Sequence, residues 1–202
     1  MASETSICNQ VLRKLGANPI MDINQSTPEA GLCKEFYYDV RDALFEDYPW
    51  SFATQRQALP KSAEAAPAPY SAKFLLPANT LRVLQASDKP DFSKVNSLQW
   101  EVEQGYVLAN TSSLYVQTII KQADVKALSA KFIRAFVARL AAELALPITQ
   151  SREMHRQFME EFGILMMAAQ SADGQQARSR RYRSSQLIEV RTAGGSYAGP
   201  VV

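Results

Sequence analysis

The spacing of apolar residues changes twice along this chain of 202 residues, and that change limits the folds open to it. Residues 3–48 and 124–171 place apolar side chains every three or four positions, which gives a helix one apolar face. Between them, residues 98–102 and 114–120 alternate apolar with polar side chains, as half-buried strands do. The pattern predicts a mainly α (α+β) fold, in which a helical bundle from N- and C-terminal segments carries a small antiparallel β insertion.

Capping residues divide the N-terminal part into two helices. Ser3 is predicted to cap a first helix that ends at Gly16, because glycine adopts the left-handed conformation of a helix end at little cost. The stretch Ser26-Thr27-Pro28-Glu29 combines a capping hydroxyl, a proline in the first turn and a carboxylate near the positive helix end. It predicts a second helix that runs to about Tyr48.

The C-terminal part contains a third and a fourth helix, each about 20 residues long. The third is expected from Asp124 until Pro147 stops it, and its apolar positions surround it almost completely. Such a helix is expected at the centre of its bundle. Thr149 or Ser151 is predicted to cap the fourth helix, which continues to about Ser171.

These patterns divide the chain into five parts. The N-terminal helices occupy residues 1–58, and a surface linker rich in proline and alanine occupies residues 59–69. A β insertion of four or five short strands, forming one small antiparallel sheet, is expected in residues 70–121. The long helices of the bundle follow in residues 122–173, and an extended basic arm in residues 174–202.

The residue types needed for catalysis are sparse. The single histidine, His155, is predicted on the outer surface of the last helix and cannot assemble a multi-histidine metal site. Cys8 and Cys33 form no C-x-x-C pair, and no glycine-rich phosphate loop occurs. We therefore expect buried free thiols, and a protein that is not an enzyme and needs no metal or cofactor. The start of the chain resembles no targeting signal, and no apolar run is long enough for a bilayer, so no membrane partner is expected.

The strongest local charge lies near the C-terminus. The whole chain carries a net charge of +2, whereas residues 178–191 hold five arginines against one glutamate and carry +4, which leaves −2 for the rest. Three interpretations are open: contact with the phosphates of double-stranded DNA, a solvated tail, or an arm that docks on a partner protein. The apolar residues in this segment favour the docking arm. Its predicted contact residues are Arg178, Arg180, Arg181, Tyr182, Arg183, Leu187, Ile188, Val190 and Arg191.

The stretch DYPWSFA follows the second predicted helix and holds three aromatic residues around a proline. Pro49 ends the helix because it lacks an amide donor and disfavours helical geometry at Tyr48. The turn can then fold Trp50 and Phe52 back against the bundle. These four residues are predicted to be a structural anchor in the core; exposure of Trp50 would instead indicate a subunit interface.

Several stretches, in their order, resemble the head-to-tail adaptor proteins of short-tailed bacteriophages, the tail tubular protein A type. They are NQVLRKLGANPI, DVRDALFEDYPWSFATQRQAL, KFLLPANTLRVLQ, LQWEVEQGYVLAN and FIRAFVARLAAELALPITQS, and the resemblance covers roughly residues 5–190. The PW-x-F-A segment after a helix is its most specific element, and LAAELALPITQS is the second. The segments KSAEAAPAP and TAGGSYAGPVV do not match the family strongly.

The resemblance implies a structural protein of the virion, assembled in the host cytoplasm. Adaptors of this type form a dodecameric ring between the portal protein and the tail nozzle, around a channel through which double-stranded DNA passes without sequence-specific contact. A C-terminal arm would grip the portal, and isolated subunits are expected to be monomers. A DNA-binding or regulatory module that acts through the arginine-rich tail is the alternative.

Overall fold

The structure is a computed structural model that describes residues 3–92, 98–122 and 124–176. In this part of the chain, four α-helices and six strands form an α+β fold, as the sequence predicts. Of the predicted extended arm, residues 174–202, the first three belong to the last helix and the rest lie outside the described residues. The elements are α1 (Glu4–Leu15), α2 (Pro28–Asp47), β1 (Thr54–Leu59), β2 (Ala72–Leu75), β3 (Thr80–Ser87), β4 (Trp100–Glu103), β5 (Tyr106–Ala109), β6 (Leu114–Ile120), α3 (Ala130–Thr149) and α4 (Arg152–Gln176).

The ends of α1 and α2 follow the predicted capping signals. The Ser3 hydroxyl accepts the first-turn amide hydrogen of Ser6, and Gly16 ends α1 with a φ of 71°. The Thr27 hydroxyl caps α2, which has proline in its first turn. Tyr48 is extended, with φ −143° and ψ 141°, as expected for a residue before proline.

Helix α3 differs from its prediction at both ends. It begins at Ala130, capped by Ser129, because Val125–Ala127 form a separate 3-10 turn. Pro147 does not stop the helix, since the amide of Gln150 still donates to the Leu146 carbonyl at 3.0 Å. One missing donor near the end of a long helix is therefore tolerated. Gln150, with φ 56°, forms the actual end.

Helix α4 is longer than predicted. The Ser151 hydroxyl accepts a hydrogen bond from the amide of Met154 at 3.2 Å, so Ser151 is the capping residue of the two candidates. The helix then continues to Gln176, past the predicted end at Ser171. The extension brings Asp173 into the fold as a buried helical residue.

The six described strands form two three-stranded antiparallel sheets rather than one. The first has the order β1-β6-β3 and the second the order β2-β5-β4. All of strand β1 except Leu59 lies in the part assigned to the N-terminal helices. The strand pairs with β6, with Thr54 opposite Ile119 and Leu59 opposite Leu114. Its sequence TQRQAL does not alternate apolar with polar residues, and only its last residue is buried. The periodicity therefore could not reveal it.

The proline-rich segment 59–69 is attached to the second sheet at its start. Lys61 forms a bridge with Phe74, the Ser62 amide donates to the Lys73 carbonyl at 2.9 Å, and the Leu75 amide donates to the Pro60 carbonyl at 3.1 Å. Backbone groups here find partners in β2 and its neighbours. The first residues of this segment thus extend the sheet instead of forming a free linker.

Two apolar cores hold the fold together. The larger core lies among the helices, and α3 passes through its centre with ten buried residues, as its all-round apolar pattern predicts. The smaller core lies between the sheets and includes Phe74, Val107 and Val116. Ile119 of β6 belongs to the larger core. The first sheet is thereby joined to the helical bundle.

Candidate functional site

All predicted contact residues of the docking arm lie outside the described part of the chain. What the structure does describe is the base of the arm, namely the last turn of α4 and the residues that contact it. The residues that lie outside are Arg178, Arg180, Arg181, Tyr182, Arg183, Leu187, Ile188, Val190 and Arg191.

Trp50 is fully buried at the start of the turn that follows α2, as a core anchor requires. Its indole Nε1 donates a hydrogen bond to the carbonyl of Leu44 at 2.8 Å, which ties the ring to the last turn of α2. The ring packs edge-on against Tyr48 at 4.8 Å and Phe132 at 4.9 Å between centroids, and stacks on Phe52 at 5.6 Å. Trp50 therefore connects α2, α3 and the chain that leads to β1.

The other members of the predicted anchor are less buried than Trp50. Tyr48 and Phe52 are half-buried and pack against the larger core, whereas Pro49 is exposed. Phe52 also contacts Phe45 and Phe132 edge-on. The role of Pro49 is therefore confined to the backbone, where it ends the helix and directs the aromatic residues on either side.

The same segment binds the end of α4 through Asp173. This aspartate is only 7% exposed, and its carboxylate accepts the Ser51 hydroxyl hydrogen at 2.6 Å and the Ser51 amide hydrogen at 3.0 Å. The Tyr48 hydroxyl adds a long hydrogen bond of 3.4 Å to the Gln170 carbonyl. These contacts fix the position from which the chain continues after Gln176.

The contact between Ser51 and Asp173, which are 122 positions apart, was not predicted from the sequence. One local signal was available. A carboxylate near the C-terminal end of a helix opposes the helix dipole, so an aspartate there calls for a compensating donor. Asp173 has that donor in Ser51.

His155 does not lie on the outer surface of α4 as predicted. Its ring is half-buried against α3, and Nδ1 lies 2.8 Å from the carbonyl oxygen of Ala142. A histidine that contacts a backbone carbonyl in this way links two helices. Within the described ranges, no group of three or more histidine, cysteine, aspartate or glutamate residues could hold a metal ion.

The two cysteines are free and buried, and their thiols interact with each other between α1 and α2. This interaction, together with burial, raises the pKa of the Cys8 thiol well above its ordinary value. The same interaction lowers the pKa of the Cys33 thiol. The prediction of separate thiols on two helices missed their proximity, because packing between helices brings them together.

A groove of about 510 Å³ lies between α2, α3 and α4. Its apolar part includes Phe36 of α2 and Phe162 of α4, and its acidic part includes Asp39 and Asp47 of α2. On the α3 side, Arg139 and Glu143 neutralise each other through an ion pair of 2.6 Å. The groove therefore offers apolar surface beside two carboxylates, Asp39 and Asp47, that form no ion pair in the part of the chain that the structure describes. Its complete lining is Phe36, Asp39, Val40, Ala43, Leu44, Asp47, Arg139, Glu143 and Phe162.

No protein-family model matches the chain, and no curated protein matches it either. The relationship to the phage adaptors thus stays a prediction based on the quoted motifs. Among the described helices, none is both long and apolar enough to cross a membrane.

Proposed function

We propose that the chain is a structural virion protein that forms the adaptor ring between the portal vertex and the tail nozzle of a short-tailed bacteriophage. In this proposal it is not an enzyme, its ring lines the channel for DNA ejection, and its C-terminal arm docks on the portal protein. The partners are thus the portal, the nozzle, further copies of the chain in a dodecamer, and double-stranded DNA without sequence preference.

The observation that carries the proposal is the position of the PW-x-F-A segment. This segment is the most specific element of the resemblance, and its residues Trp50 and Ser51 contact both the bundle core and the last turn of α4. The arm thus continues from a fixed point on a packed bundle. About 25 extended residues reach up to ~85 Å, enough to contact a neighbouring ring.

The arm is tested by deleting residues 178–202. We expect loss of attachment to the portal, seen by electron microscopy of the mixture, while the melting temperature stays close to that of the full chain. A deletion of residues 192–202, which removes no predicted docking residue, is the matched control and should still attach. Unaltered attachment after the longer deletion would refute the docking role.

The outer face of α4 supports a role in a ring. Ile164 and Met167 are 67% and 66% exposed although both are large and apolar, and they lie three positions apart on one helix face. Such a face suits contact with a neighbouring subunit. Weak contacts of this kind gain strength once the portal holds several copies side by side, because later contacts form at a high effective concentration.

Light scattering and electron microscopy test the ring. The isolated protein should be monomeric, and Ile164→Asp should reduce the number of subunits that assemble on the portal. Met21→Asp is the control, since Met21 is 94% exposed but lies in the connection between α1 and α2. A stable dodecamer without portal would refute templated assembly.

The alternative, a DNA-binding or regulatory module, draws its support from the charge of +4 in residues 178–191. Arginines that contact phosphates displace counterions, so affinity falls with salt at a slope of about 0.9 per phosphate contact. Replacing the five arginines by glutamine would then flatten the salt dependence of DNA binding and leave portal attachment intact. The adaptor proposal predicts the opposite, namely loss of attachment.

A further inference from the structure

The groove between α2, α3 and α4 holds two exposed carboxylates that lack partners among the described residues. Neither Asp39 nor Asp47 forms an ion pair or side-chain hydrogen bond with any residue in the described ranges, in contrast to Asp42 on the same helix, which pairs with Arg41 and Lys121. Phe36 and Phe162 supply aromatic surface beside them. The groove thus fits a ligand that is both cationic and partly aromatic.

The position of Asp47 also favours a cation. Asp47 is the last residue of α2, and the last turn of this helix contains no basic residue. A negative charge at a helix C-terminus is unfavourable, whereas a positive charge there interacts favourably with the helix dipole. Glu46 adds a further carboxylate to the same turn. The Arg82 guanidinium already donates to the Glu46 carbonyl at 2.7 Å, and a second guanidinium at this end could pair with the two carboxylates, which form no ion pair within the described ranges.

The described chain ends near the C-terminal end of α2, where Asp47 lies, whereas Phe162, the α4 residue that lines the groove, precedes Gln176 by about four helical turns. Tyr48, which follows Asp47 directly, contacts Gln170, and Ser51 contacts Asp173, so the last turn of α4 lies next to the end of α2. The structure describes the chain as far as Gln176, and the first arginine of the basic segment is Arg178. One residue, Ala177, therefore separates the described helix end from the first arginine, on the side of the groove where Asp47 lies.

The length of the arginine segment also matches the distance between the two carboxylates. Asp39 and Asp47 are eight positions apart on a helix, which corresponds to about 12 Å along its axis. An extended chain covers about 3.3 Å per residue, so Arg178 to Arg183 can span up to about 16 Å. This segment contains four arginines and Tyr182. It can bring guanidinium groups to both carboxylates and an aromatic ring to the surface between them.

We infer that, in the unassembled protein, residues 178–183 dock into the groove of their own chain. The arginines pair with Asp39 and Asp47, and Tyr182 packs against Phe36 and Phe162. Opposite net charges of the basic segment and the rest of the chain favour this arrangement. The inference concerns the free chain and does not depend on the adaptor role.

Paramagnetic broadening in NMR spectra of the full-length protein tests the contact. A nitroxide attached at Ser184→Cys labels the arm selectively, because Cys8 and Cys33 are fully buried. Amide signals of residues 36–47 should lose intensity, whereas those of the second sheet should not. The loss should disappear in the double variant Asp39→Asn with Asp47→Asn.

The matched control is the double variant Asp88→Asn with Glu103→Gln, which removes the same charge from exposed positions in the β region. It should keep the broadening. Unbroadened groove signals in the labelled native sequence would overturn the inference, and so would broadening that survives removal of the two groove carboxylates. Thermal melts verify that each variant is folded; since Asp47 opposes the helix dipole, its replacement should not lower stability.

A mixture of isotope-labelled protein without nitroxide and unlabelled protein with nitroxide distinguishes the same chain from a second copy. Docking within one chain predicts no broadening in this mixture. Broadening there would overturn the inference in favour of an arm exchanged between subunits. The portal attachment assay measures a different contact, so a negative result in either experiment leaves the other proposal standing.

Discussion

Truncation of Trp50 to alanine should destabilise the whole fold. The side chain is fully buried, it donates the 2.8 Å hydrogen bond to the Leu44 carbonyl, and its ring contacts Tyr48, Phe52 and Phe132. These contacts connect the end of α2, the first turn of α3 and the chain that leads to β1. The variant Trp50→Ala removes all of these contacts and leaves a cavity at their meeting point.

The expected cost is about 3–5 kcal/mol, the usual range for cutting a buried aromatic residue back to alanine. Roughly 1 kcal/mol of it comes from the hydrogen bond to Leu44. A domain of this kind is stable by about 5–15 kcal/mol, so the loss is a large part of the total. Trp50→Phe keeps most of the ring packing but loses the hydrogen-bond donor. Its free energy of unfolding should therefore lie between those of the native sequence and Trp50→Ala.

Urea denaturation followed by far-ultraviolet circular dichroism measures this free energy. Trp100→Ala is the matched control, because Trp100 is the other tryptophan and is only half-buried against the smaller core. It should cost clearly less than Trp50→Ala. If Trp50→Ala unfolds within ~1 kcal/mol of the native sequence, the reasoning is refuted, because a side chain that is buried and bonded in this way cannot be removed so cheaply.

Four further outcomes are expected. Burial raises the pKa of the Tyr37 hydroxyl. As pH rises past about 10, the unfolded chain therefore loses this proton before the folded chain does, and the free energy of unfolding falls. Urea denaturation at alkaline pH should show a smaller fall in Tyr37→Phe. At neutral pH the same variant should be no less stable, because this hydroxyl has no hydrogen-bond partner among the described residues. Asp173→Ala should cost roughly 1.5–3 kcal/mol and speed amide exchange in the last turn of α4, since hydrogen bonds to a charged group are lost; unchanged exchange would contradict the contact with Ser51. Cys8 and Cys33 should react with a thiol reagent only after unfolding, and a fast reaction in the native protein would show that they are accessible.

The helical part of the fold was largely predictable because its signals are local. A capping hydroxyl at Ser3 or Thr27 and a glycine at position 16 act within one turn, and the structure has the helix ends where these residues place them. Pro147 misled because a proline weakens a helix without always ending it. Strand β1 was missed because it is held by pairing with β6, a contact that its own sequence does not encode.

The anchor and the groove also show that local sequence patterns predict burial but not contacts between distant parts of the chain. Burial of Trp50 follows from an aromatic residue placed behind a helix-ending proline, which is a local pattern. The contact of Ser51 with Asp173 and the convergence of three helices on Asp39 and Asp47 depend on residues far apart in sequence. Chemistry that is built across elements therefore appears only when the elements are packed.

The two proposals for the arginine segment, taken together, give the arm two binding sites of different strength. A segment held in its own groove is available to the portal for only a fraction of the time, and the apparent affinity of a single arm is reduced by that fraction. A single free subunit would then bind weakly. Once neighbouring subunits are aligned on the portal, the effective concentration of each arm rises enough to outweigh the loss. Disabling the groove with Asp39→Asn and Asp47→Asn should consequently strengthen the binding of one subunit to portal, whereas a groove with no role would leave that affinity unchanged.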